Sequence, residues 1–239
     1  MRQVRLFREE VGHLAANHGD VWEVKRLVAI SILFLLALSA FIFPPSLASS
    51  SVFYISLAFS VCALFLASWN SDARHGLSYL RLTPKWNGMP SLLLQSLALF
   101  AACVAVTVSI TGIFMLAGAL DTKNVYDKVI ILPLPVLVLA FTLAPLGEEM
   151  LFRGFLFRKA GEWLGARQKG ALPWVLGAFL SSLLFSLMHA SYGSLAELAV
   201  AFAVGIVLCI GVKKTGSLVP AVLAHAAFNF ASIFMAVFL

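Results

Sequence analysis

Charge is what this 239-residue chain has least of. Only 12% of its residues are Asp, Glu, Lys or Arg, while 61% are hydrophobic. Soluble domains carry about 25% charged residues. Half of that cannot cover a water-facing surface of this size, which excludes an ordinary soluble globule. Disorder is excluded as well, because it needs low hydrophobicity and high charge. Cysteine is also scarce. Cys62, Cys103 and Cys209 lie far apart inside apolar runs, with no CxxC and no Cys/His zinc spacing, so they read as small packing residues. There is no GxSxG nucleophile elbow and no HExxH helix. No internal repeat is visible and no large soluble segment is present.

What is present is apolar sequence in span-length blocks. A membrane-crossing helix needs about 20 mostly apolar residues. Candidate spans fall at about 27–48, 52–69, 90–118, 129–157, 173–190, 195–212 and 218–238. The expected fold is therefore all-α: a polytopic membrane helical bundle of about seven transmembrane helices, within a range of six to eight. The fourth span is irregular. It holds Pro133, Pro135 and Pro145, each of which removes a backbone donor and can kink a helix, so it reads as one bent helix or two pieces.

The excess of basic residues, 17 against 11 acidic ones, follows topology. Fourteen of the 17 lie in the N-terminal tail and the 70–89, 158–172 and 213–217 loops. Only Lys123 and Lys128 occupy the alternate set, and Arg153 sits inside a span. Basic residues accumulate in cytoplasmic loops, which puts the N-terminus in the cytoplasm and makes the lipid bilayer, not nucleic acid, the expected partner of this charge. The tail, residues 1–26, reads as a solvated topogenic segment or a surface-lying amphipathic helix. The first span, residues 27–48, is followed by Ser49, and Pro45–Ser49 loosely suggests a signal-peptidase site, but the apolar run is too long for a usual leader.

Ionisable groups inside spans are expensive and mark function by default. Here they form three local patterns. In Glu148-Glu149-Met150-Leu151-Phe152-Arg153, Glu149 and Arg153 are four apart with the acid first, which suits an ion pair. Glu148 points about 100° away and is left free. In Phe185–His189, an aromatic stands one turn before a histidine. In His225–Asn229, a histidine stands one turn before an amide. Glu197, near the start of the sixth span, reads as interfacial. A carboxylate in a cavity can serve as a general base, histidines can orient water, and a histidine and an amide can donate to a developing oxyanion. Hydrolysis of an acyl bond, proton transport and structural cross-bracing all use such groups.

EExxxR, FxxxH and HxxxN in this order on successive apolar helices resemble the CPBP family, the CAAX proteases and bacteriocin-processing enzymes also called ABI or glutamic intramembrane proteases. Ala144-Pro145-Leu146-Gly147 and Phe152-Arg153-Gly154 around the glutamates are similar too. The resemblance covers about residues 129–239, which would form the catalytic membrane core behind three helices within 27–128 and the tail 1–26. It implies an intramembrane endopeptidase of a bacterial cell membrane, acting on a peptide or membrane-protein substrate without a cofactor. Glu148 would activate water, His189 would bind and polarise it, and His225 and Asn229 would form the oxyanion site. Glu149, Arg153 and Phe185 would shape it. A zinc ion held by two His and one Glu remains a competing reading. So does an immunity protein of the same fold that needs no catalysis, and so does a proton-coupled transporter.

One expectation concerns depth. Glu148 and Asn229 fall near the middle of their spans, whereas His189 falls at the end of its own, on the order of 10 Å away at 1.5 Å per residue. For His189 to join Glu148, either the fifth span is sunk or tilted, with Ser191–Glu197 re-entering the membrane, or the span boundaries lie elsewhere; the first arrangement is favoured.

Overall fold

The computed structural model describes residues 88–165 and 170–238. The chain divides into two units, Met1–Phe41 and Ile42–Leu239, and all described residues belong to the second. The tail, the spans at 27–48 and 52–69 and nearly all of the 70–89 loop lie outside the described residues.

Among the described residues the protein is helical and has no strand. Helix α1, Met89–Leu116, follows Gly88 and has Pro90 in its first turn, where the missing N–H has no partner to lose. It ends in a Schellman arrangement: the Ala119 N–H donates to Phe114 O, the Gly118 N–H to Met115 O, and Gly118 takes the left-handed φ of 65° that this closure needs. Three further segments are long and apolar enough to cross a membrane: Leu172–Tyr192, which contains α6 (Leu172–Leu187), α7 (Leu195–Thr215) and α8 (Val219–Phe238). They coincide with the expected spans at 173–190, 195–212 and 218–238. The protein is thus a membrane protein with an all-helical core.

The expected fourth span resolves into several pieces. A short α2, Lys123–Val129, is followed by α3, Leu134–Phe141, α4, Leu143–Glu149, a π-helical segment, Met150–Phe157, and α5, Arg158–Gly165. Pro145 accounts for the break at Thr142. It has no N–H to give the Phe141 carbonyl, and its ring crowds that carbonyl, so α3 cannot run into α4. Thr142 sits at φ −114°, ψ −72°, and its hydroxyl folds back onto Val138 O at 2.7 Å. The segment from α4 to α5 then continues without interruption, with the widened turns of the π segment directly after the two glutamates. Such widening is common at functional sites.

Small residues and buried serines let the helices close around this strand of the chain. A Cβ on Gly177 of α6 would stand 3.0 Å from Phe157 O, so the two backbones nearly touch. The Ser181 hydroxyl donates to Phe152 O of the π segment at 2.7 Å, and that of Ser186 to Leu198 O of α7 at 2.7 Å. Apolar side chains such as Leu93, Leu97 and Val108 of α1 remain exposed.

Candidate active site

The end of α4 carries two adjacent carboxylates with different surroundings. Glu149 is fully buried. Its Oε1 accepts from Arg153 Nη1 at 2.7 Å and lies 2.9 Å from His225 Nδ1 on α8. Glu148, 100° around the helix, keeps 21% of its side chain exposed, and its Oε2 stands 3.7 Å from His225 Nε2. His225 is therefore flanked by a carboxylate at each ring nitrogen. Because a carboxylate only accepts, Nδ1 carries the proton toward Glu149, and Nε2 becomes a donor only when the ring holds both protons.

Arg153 lies on the π segment, 1% exposed. Its guanidinium carbon stands 4.2 Å from the centre of the Phe185 ring, a cation–π contact in a desolvated setting. Gly205 of α7 provides the space: a Cβ there would come within 3.1 Å of Arg153 Nη2 and 2.8 Å of the Ser182 side chain. Three buried atoms of this pair, Glu149 Oε2 and Arg153 Nε and Nη2, have no hydrogen-bond partner among the described residues.

Phe185 is the hub of the aromatic contacts. Its ring meets Phe152 at 5.3 Å, His189 at 4.9 Å and His225 at 5.7 Å between centroids. One aromatic thus spans the interval between the two histidines. His189 lies just past the end of α6. Its Nδ1 donates to Phe185 O at 3.0 Å, which leaves Nε2 as the lone pair of the neutral ring. Over Ser191–Glu197, the stretch expected to re-enter the membrane if the fifth span is sunk, the chain makes a short turn and a helix start. Ala190–Tyr192 form one 3-10 turn, Gly193 takes a left-handed φ of 69°, and Ser194 caps α7 by accepting from the Glu197 N–H at 3.0 Å. The Ser-x-x-Glu spacing specifies that start, so the chain turns directly into the next helix.

Asn229, one turn beyond His225, donates Nδ2 to Ala140 O at 3.0 Å. Ala140 lies in the last turn of α3, where carbonyls have no partner within the helix. The Pro145 break thus creates the acceptor that anchors Asn229, and the amide keeps a second N–H for other use. Among the described residues, no three His, Cys, Asp or Glu side chains come together as metal ligands.

Sequence reasoning paired Glu149 with Arg153 and missed its contact with His225, because no spacing signals an interaction across 76 positions. It also missed Asp121, which follows α1. Ser194 Oγ donates to Asp121 Oδ1 at 2.7 Å and the Leu195 N–H to Oδ2 at 2.7 Å. The signal that could have pointed to it is the Ser194-x-x-Glu197 spacing, which marks the helix start that Asp121 binds.

Known proteins resemble the same stretch. Residues 130–231 match the family described as Type II CAAX prenyl endopeptidase Rce1-like, a span that holds all seven site residues. An uncharacterized 24.3 kDa protein of Escherichia coli is 37% identical over 131 residues, which covers 51% of this chain and 56% of that protein. The chain thus matches little more than half the length of this relative. No solved structure matches. Residues 130–231, which hold the paired glutamates and both histidines, are thus similar to the Rce1-like CAAX endopeptidase family.

Proposed function

We propose that the protein is an intramembrane endopeptidase of the cell membrane that hydrolyses a peptide bond in a membrane-associated protein or peptide. The observation that carries this reading is the pairing of a partly exposed carboxylate, Glu148, with a histidine held from behind by a second, buried carboxylate. The family match supports peptidase chemistry, and the Escherichia coli relative is in keeping with a bacterial setting.

In the proposed reaction Glu148 takes a proton from water as the hydroxide oxygen bonds to the scissile carbonyl carbon. His189 orients that water through Nε2, its Nδ1–H being committed to Phe185 O. The carbonyl oxygen becomes an oxyanion, received by the second N–H of Asn229 and by Nε2–H of doubly protonated His225, for which Glu149 is the counter-ion. As the C–N bond breaks, the leaving nitrogen takes the proton from Glu148. Arg153 and Phe185 hold Glu149 and both imidazoles in register.

The test is reconstitution of the full chain in liposomes with a peptide library. Cleavage should fall roughly 10²–10⁴-fold in Glu148→Ala and His189→Ala. Cleavage undiminished in both variants would overturn the reading.

A further inference from the structure

We propose that Asp121, with Asn124 and Lys128, is a strap that positions His189, so that Asp121 is a positioning residue for the reaction although it lies outside the site. This rests on the peptidase reading for its catalytic consequence and on geometry for the strap itself.

His189 is the one site residue that no regular helix carries. Helix α6 stops at Leu187, and beyond it the backbone's bonds to itself are short-range: the His189 N–H to Ser186 O, the Tyr192 N–H to His189 O and the Gly193 N–H to Ala190 O. A group that must share a water with Glu148 needs placement to within about 0.5 Å, which a free turn does not supply. The missing restraint comes from one short segment 63 to 75 positions earlier in the chain. Lys128 Nζ donates to Ser191 O, and Asn124 Nδ2 donates to Gly193 O at 3.3 Å. Asp121 accepts from Ser194 Oγ, from the Leu195 N–H and, at 3.2 Å, from the Ala196 N–H. Two carbonyls of the His189 turn and the first amides of α7 are thus gripped in succession.

The arrangement exceeds what capping α7 requires. Ser194 already accepts from the Glu197 N–H, which satisfies one orphan amide at the helix start. Lys128 and Asn124 bind carbonyls before the helix begins and contribute nothing to its cap. Their acceptors, Ser191 and Gly193, flank Tyr192, whose ring lies 6.0 Å from that of His189. Lys128 and Asn124 hold the turn on which His189 rides, and Asp121 holds the helix start that directly follows it.

The experiment uses the full chain in nanodiscs. Asp121→Ala and Lys128→Met are compared with the parent protein for kcat, for KM and for amide exchange across residues 189–196, and Asp121→Ala is also made in the His189→Ala background. Amide exchange there should quicken about tenfold in Asp121→Ala. The kcat should drop on the order of tenfold with KM little changed, and Asp121→Ala should cost nothing further once His189 is alanine. An equal loss in both backgrounds, or unchanged exchange at 189–196, would overturn the proposal. Cleavage independent of Glu148 would instead sink the peptidase reading, while the exchange data would still decide whether the strap holds the turn. Asp121→Glu, which keeps the carboxylate, should recover part of the kcat and separates positioning from misfolding.

Discussion

Glu149 Oε1 is shared between Arg153 Nη1 at 2.7 Å and His225 Nδ1 at 2.9 Å, so a single buried oxygen ties the π segment to α8. The two adjacent glutamates thereby take different parts. Glu149 belongs to the framework, fully enclosed and charge-compensated. Glu148 retains exposure and, among the described residues, faces His225 Nε2 at 3.7 Å, beyond a direct hydrogen bond.

Substitution should separate the two. Removing one partner of a buried ion pair leaves the other charge uncompensated and costs about 3–5 kcal/mol. Glu149→Ala should therefore lower the thermal midpoint in detergent sharply, and Arg153→Ala should do the same. Glu148→Ala should keep the midpoint close to that of the parent and abolish cleavage. Parallel thermal scans and cleavage assays check this. A Glu148→Ala protein destabilised as much as Glu149→Ala would contradict the division of roles.

Arg153→Lys should fail as a conservative change. Lysine retains the charge but not the planar face that lies over Phe185 at 4.2 Å. Its compact ammonium would also be harder to leave buried than a guanidinium. The variant should be destabilised by about 1–2 kcal/mol, in line with a desolvated cation–π contact, with reduced activity. Phe185→Leu should reproduce part of that loss because the same ring also packs on His189 and His225. A double-mutant cycle between positions 153 and 185 measures the shared term.

The distribution of legible and illegible features has a physical basis. The spans carried by α1, α6, α7 and α8 could be read because apolar length is a local property. The Glu149–Arg153 pair could be read because both residues lie on one helical face. The break at Thr142 was foreshadowed by Pro145, but its consequence, an open Ala140 carbonyl for Asn229, depends on where α8 packs. The contact of Glu149 with His225 and the grip of Asp121 on α7 join residues more than 70 positions apart, and no periodicity encodes them. The span end beside His189 was legible, whereas the form of the turn that follows it was not. Apolar counting sees the end of a span, whereas the Ser194 cap decides that the chain enters α7 at once.

Gly205→Ala should act as a distant probe of the site. An added Cβ would meet Ser182 Cβ and Oγ at 2.8 Å, and Ser182 sits on a packed helix that cannot yield far. Overpacking of this kind costs about 1–3 kcal/mol. The other near neighbour is Arg153 Nη2 at 3.1 Å, so relief by that route pushes the guanidinium off its place between Glu149 and Phe185. The expected result is a lower thermal midpoint together with a loss of cleavage larger than instability alone explains. Cleavage measured well below the midpoint separates the two. Gly112→Ala on α1, where nothing lies within 4 Å of the added Cβ, is the matched control and should change neither.

Acidification should loosen the strap at Asp121. The Ser194 hydroxyl, then the Leu195 N–H, hold this carboxyl below the usual carboxylate range. A folded value below the unfolded one means that the ionised form favours the folded state. The contribution is present in full above the ordinary carboxylate value of about 3.9 and is lost as pH falls through the lowered folded value. Between pH 8 and pH 5 the parent should therefore keep a constant advantage in thermal midpoint over Asp121→Asn, whose amide oxygen accepts the same bonds without the charge that suits a helix N-terminus. Below about pH 4 the two midpoints should converge as the aspartate takes up its proton. The measurement is the pair of thermal profiles from pH 8 to pH 3, and a gap that widened on acidification would contradict the assignment.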